Sequence, residues 1–138
     1  MIEDPKFFEA AQGLAQSLSQ WDLLIVGGSL VIIVSSSYYR PASLRMRAAY
    51  LLFLPAWCCL AYSIYQGIVV QRSYVAYLIA TRSTAKTQDT IMAIAKRMET
   101  ATSGQIDGLQ YALVCLGTWL LAYMAWWIVT DRIEKEKS

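Results

Sequence analysis

Chemistry in a protein needs side chains that move protons, attack electrophiles or hold metals, and this chain is poor in them. Its 138 residues include no histidine, which removes Ser-His and Cys-His nucleophile pairs, the HExxH metal pair and histidine ligation of haem. The three cysteines, Cys58, Cys59 and Cys115, lie in apolar surroundings without Cys-x-x-Cys spacing, where a thiol acts as a small hydrophobe. Gly27-Gly28-Ser29 sits inside an apolar run and is not placed to cradle phosphate as a P-loop does. No catalytic or metal-binding constellation is expected, and the one bound molecule left open is lipid.

The residues left to carry function are those that let helices meet. In lipid, burying leucine against leucine gains little, so helices associate through small side chains that let backbones approach and through a few polar contacts. One stripe of this kind is Ala49, Ala56, Cys59, Ser63 and Gln66, and a second is Gly108, Ala112, Cys115, Thr118, Ala122 and Ala125. The candidate helix-packing or pore-facing residues are therefore Ala56, Cys59, Ser63, Gln66, Ala112, Cys115, Thr118, Ala122 and Ala125. Ser63 and Gln66 suit either an interhelical hydrogen bond or the lining of a water path.

The elements that position these stripes follow from the charge distribution. All 12 basic and 10 acidic residues fall outside three apolar blocks, Leu23 to Tyr39, Ala48 to Val70 and Leu109 to Thr130. A bilayer-spanning helix needs roughly 20 apolar residues, because hydrocarbon offers no partner to an unpaired backbone amide. The expectation is an all-α, polytopic integral membrane protein in which residues 1–138 form a single membrane domain. It has an amphipathic helix over 5–21, spans over 22–39, 47–71 and 108–130, an extramembrane helical connection over 72–107 and a charged tail over 131–138.

Local signals refine this outline. Phe7, Phe8, Ala11, Leu14, Ala15, Leu18 and Trp21 recur at helical spacing in the first segment, with Pro5 in its first turn. The first span ends at Arg40-Pro41, and the short link Pro41 to Met46 makes spans one and two antiparallel neighbours. Pro55 is expected to kink the second span, which then continues past Gln71 towards Arg82 as a stalk. A stripe of Ile91, Ile94, Ala95, Met98 and Ala101 must cover something, the stalk or a copy of itself. Gly104 and Gly108 would break or bend the chain before the third span.

Aromatic and basic residues give the interfaces. Trp21, Tyr38, Tyr39, Arg40, Trp126 and Trp127 read as interfacial anchors, and Trp119, Tyr123, Tyr62, Tyr65, Tyr74 and Tyr77 as further members of the headgroup belts. Lys plus Arg totals tie between the two sides. The crowding of Arg40, Arg45 and Arg47 in a short link, and of Arg132, Lys135 and Lys137 beside a span, favours an outside N-terminus and a cytoplasmic C-terminus. The acidic start with Glu3, Asp4 and Glu9 does not read as a cleavable signal, so an unprocessed chain is expected.

Apolar blocks without an acid, a base or a histidine point away from pumps and proton-coupled carriers, and a net charge of +2 points away from nucleic acid. The first functional expectation is a homo-oligomeric pore or channel-like assembly. The alternative is an accessory or structural subunit of a larger membrane complex, and the third is a lipid or quinone-binding module near Tyr65, Trp126 and Trp127. In topology the three-span layout with a charged tail resembles that of one class of phage holins, from which the connection Gln71 to Asp107 departs.

Overall fold

The computed structural model describes residues 5–36, 48–82 and 88–136. They form three long helices, α1 (Pro5–Ser36), α2 (Phe53–Arg82) and α3 (Gln88–Glu136), with a 3-10 turn at Tyr50–Leu52 ahead of α2. All three are long and apolar enough to cross a membrane. Tyr38, Tyr39, Arg40, the link Pro41 to Met46 and the last two residues of the tail lie outside the described residues.

Several boundaries differ from the sequence reading. The 5–21 segment and the described part of the 22–39 segment, to Ser36, join in one helix, and α3 runs without interruption from the connection into the third apolar block. Gly104 and Gly108 neither break nor cap α3, and no described residue has a positive φ. Glycine costs a helix about 1 kcal/mol relative to alanine, and here close packing offsets it. A Cβ on Gly104 would lie 3.1 Å from the Tyr62 hydroxyl, and one on Gly108 would lie 3.0 Å from the Cys59 carbonyl and 3.2 Å from Ser63 Cβ. Pro55 falls in the first turn of α2, where its missing N–H costs no ladder bond. The irregularity precedes it as the 3-10 turn, in which the Phe53 N–H reaches the Tyr50 carbonyl.

The buried positions follow the alternating three-and-four spacing of a coiled-coil seam. On α2 they are Phe53, Ala56, Leu60, Ser63, Gly67, Val70, Ser73 and Tyr77, and on α3 they include Met98, Ala101, Gln105, Gly108, Ala112 and Trp119. On α1 the buried residues are Phe8, Ala15, Asp22 and Ser29, one every seventh position. α2 is the central helix, packing most extensively on α3 and less on α1, while α1 and α3 meet least.

Seam composition changes along the bundle. At the end carrying the α1 N-terminus, Phe8, Ala15, Val70, Tyr77, Ala95, Met98 and Ala101 form a core, with Phe8 stacked on Tyr77 at 3.7 Å between ring centres. Ile91 and Ile94 pack against it, so the 91–101 stripe covers both the α2 stalk and α1. Each aromatic buried here removes apolar surface worth about 2–3 kcal/mol from water. At the opposite end Phe53, Trp119 and Tyr50 meet edge to face, with Phe53 and Trp119 at 4.9 Å. Tyr77 and Trp119 are therefore packing residues, buried in the seam, and not members of headgroup belts.

Candidate functional site

Where the two ends of the seam meet, it turns polar. Asp22, Ser63 and Gln105 are all fully buried, one from each helix. Ser63 Oγ lies 2.7 Å from Asp22 Oδ2 and 2.9 Å from the backbone carbonyl of Gln105. The Gln105 side chain crosses to α1, where its Nε2 donates to the Ala15 carbonyl and to Ser19 Oγ, both at 3.1 Å. Gly67 makes room for this crossing, since a Cβ there would lie 2.6 Å from Ser19 Oγ and 2.9 Å from Gln105 Nε2. Asp22 Oδ1 and Gln105 Oε1 are buried without a hydrogen-bond partner among the described residues.

The junction marks the level at which the charge-free stretches of α1 and α3 begin, at Leu23 and Leu109. Beyond it, towards the C-termini of α1 and α3, a further polar link joins two helices, with Trp57 Nε1 donating to Ser29 Oγ at 2.9 Å and Ser29 Oγ donating to the Val26 carbonyl. Large apolar side chains there point outward, among them Leu24, Val34, Leu54, Val114, Leu121 and Val129.

The residues singled out from the sequence fall into three groups. Ala56, Ser63 and Ala112 lie in the buried seam, and Cys59, Gln66, Cys115 and Ala122 are half-buried beside it. Thr118 and Ala125 face outward, and the Thr118 hydroxyl donates to the Val114 carbonyl of its own helix at 2.7 Å. Their spacing matched the stripe, but the seam passes through Trp119, one position on from Thr118. Trp21 and Trp127 are about 60% exposed, while Trp126 is half-buried.

The sequence reading missed Asp22, Ser19 and Gln105. It placed every ionisable residue outside the apolar blocks, and the structure corrects that picture at Asp22, which sits inside a helix able to cross a membrane and is fully buried. The signal was present as the seven-residue repeat Phe8, Ala15, Asp22, Ser29, which puts the carboxyl on the same face as two apolar core residues. Among the described residues, no group of three or more His, Cys, Asp or Glu is placed to hold a metal ion.

Two clefts lie on the side where α1 and α3 diverge. One, of about 340 Å³, is lined by Ile25, Gly28 and Ile32 of α1 and by Leu116, Gly117 and Leu120 of α3. The other, of about 380 Å³, lies between Ala10, Ala11 and Leu14 of α1 and Thr102, Ser103 and Ile106 of α3. Among the described residues nothing lies within 4 Å of where a Cβ would stand on Gly28 or Gly117, so packing between those residues does not account for them. Comparison with family models, with curated proteins and with solved structures finds no match to this chain.

Proposed function

We propose that this chain is a non-enzymatic, multi-pass membrane protein that serves as an accessory or structural subunit of a larger membrane complex, docking through the open α1–α3 side. The observation that carries this reading is the direction of the polar groups. Asp22, Ser29, Ser63 and Gln105 turn inward and are held by contacts between helices, whereas the outward surface at the apolar level is built of large hydrophobic side chains. Such a surface suits lipid and an apolar partner helix. A conduit between copies of the chain would need a polar outward stripe, and Thr118, an outward hydroxyl within the third block, is engaged with its own helix.

Bare glycines support the choice of face, because in lipid a glycine without an intrachain neighbour is where another backbone can approach. The cleft at Gly28 and Gly117 fits an apolar membrane helix of the partner, and the cleft at Leu14 and Ile106 lets the contact continue past the apolar level. In this reading the N-terminus and the α2–α3 connection lie outside and the C-terminus in the cytoplasm, as the crowded bases of the short link and the tail favour.

Native mass measurement in mild detergent tests the proposal. The chain alone is expected to be a monomer, to leave reconstituted vesicles sealed, and to enter the complex of its source membrane in fixed stoichiometry. Gly28→Leu and Gly117→Leu should preserve helix content and thermal stability yet abolish entry into the complex. A closed ring of identical chains that makes vesicles leak would instead establish the homo-oligomeric pore.

A further inference from the structure

The polar junction contains a question of hydrogen count. Ser63 carries a single hydroxyl hydrogen, yet its Oγ lies within hydrogen-bond distance of two oxygens, Asp22 Oδ2 at 2.7 Å and the Gln105 carbonyl at 2.9 Å. If Asp22 is an anion, both neighbours are acceptors only. One contact is then satisfied and the other sets lone pair against lone pair. If Asp22 is a carboxylic acid, its Oδ2–H donates to Ser63 Oγ, and Ser63 Oγ–H donates to the Gln105 carbonyl. Two hydrogens then serve two contacts in a continuous chain from α1 through α2 to α3.

The surroundings agree with the acid form. A buried carboxylate persists only when a cation or several donors compensate it, and Asp22 Oδ1 has no hydrogen-bond partner among the described residues. No basic side chain faces it among the described residues. From α2 the group that faces Asp22 is Ser63, and the titratable residues at that level are Cys59, half-buried, and Tyr62, exposed. From α3 it is Gln105, while Asp107 is exposed and lines a different cleft with Cys58 and Tyr62. Arg72 on α2 and Lys96 and Arg97 on α3 are exposed and two or more turns away. On α1 itself, Glu9 and Lys6 lie 13 and 16 positions back, about 20 and 24 Å along the axis.

We propose that the junction is a proton-binding site that latches α1 to the α2–α3 pair. In the closed bundle Asp22 holds the proton and the three helices share the chain Asp22–Ser63–Gln105. Loss of that proton to water at the α1 N-terminal end leaves a carboxylate with no cation, and the least costly response is for α1 to move so that water reaches it. α1 is the helix able to do so, since its contact with α3 is the least extensive of the three and α2–α3 packing remains without it. The latch is therefore closed at lower pH and opens as pH rises through the Asp22 titration.

Difference infrared spectroscopy on the full chain in lipid vesicles, titrated with alkali, reads the proton directly. The expected result is a carboxylic C=O band that disappears with rising pH and is absent from Asp22→Asn at every pH. Ser63→Ala should shift that band to higher frequency, because the acid loses its acceptor, and this readout does not depend on the variant's stability. Hydrogen exchange of the α1 amides around Asp22 should accelerate with pH in the native chain and stay slow in Asp22→Asn, whose amide donates to Ser63 as the acid does. Three results would overturn the proposal: no acid band assignable to Asp22 at any pH, exchange that accelerates with pH equally in Asp22→Asn, or slowing of exchange that follows sodium concentration at fixed pH and so places a metal cation there.

Discussion

The two ends of this bundle differ in what they turn outward. At the Phe8 end, large apolar side chains are buried and polar ones face out: Phe8, Val70 and Met98 are fully buried, while Lys96, Arg97 and Glu99 are exposed. Past the junction Phe53, Leu60 and Trp119 are still buried, but small residues share the seam with them and the outward face is apolar. Ser29, Ala56 and Ala112 are buried, and Leu24, Val31, Leu121 and Val129 face out. The difference teaches what a helix able to cross a membrane can leave uncovered, since water rewards burial of apolar area and hydrocarbon does not. One seam with one spacing serves both because register depends on where residues recur and not on which residues they are.

The comparison breaks most severely where its water-driven end is emptied. Phe8→Ala removes a fully buried ring stacked on Tyr77 and is expected to cost about 3–5 kcal/mol. Leu121→Ala at the other end removes a side chain that is 71% exposed and is expected to leave bundle stability within about 0.5 kcal/mol. Reversible unfolding in mixed micelles, followed by helix signal, measures both. Equal losses at the two positions would mean that both ends fold by the same force.

The next largest effect belongs to the junction, where the limit is space. Gly67→Val puts a branched side chain where even a Cβ would come within 2.6 Å of Ser19 Oγ and 2.9 Å of Gln105 Nε2. Ser19 and Gln105 must then give up their mutual contact, and overpacking of this kind costs about 1–3 kcal/mol. Gly28→Val, with open space around its Cβ, is the control and should leave the isolated bundle unchanged. Thermal unfolding of the two variants side by side checks the contrast.

Much of this architecture is legible in the sequence, and the rest is not for a physical reason. Charge-free length alone locates the three helices, because lipid tolerates few exceptions. The stripe at Ile91, Ile94, Ala95, Met98 and Ala101 identifies a covering face, as its packing on Val70 and Tyr77 shows. The junction escapes because hydropathy scores each residue by type, and Asp22 is a single acid at the edge of an apolar run. Whether such an acid faces water or a seam depends on phase. That phase is set by Phe8 and Ala15 two and one heptads earlier, and by Ser63 and Gln105, which are 41 and 83 positions away in the chain. Pro55 and the glycines of α3 mislead for the opposite reason: their local cost is real, but position in the first turn or a facing backbone offsets it.

A smaller effect separates a polar group that joins helices from one that only sits on a helix. Ser63→Ala removes the hydroxyl at the centre of the Asp22–Gln105 chain and is expected to cost about 1 kcal/mol, the usual worth of a hydrogen bond between membrane helices. Thr118→Val removes a hydroxyl of similar apparent standing, in a stripe of the same spacing, but one that is exposed and bonds its own Val114 carbonyl. The carbonyl it releases is already engaged in the helix ladder, and valine presents a comparable shape to the surroundings. The expected change is below about 0.3 kcal/mol, measured by unfolding of the purified monomer. A loss at Thr118 as large as that at Ser63 would mean that the outward face of α3 is packed against something in the isolated protein, and the seam through Trp119 would not be the bundle's principal contact.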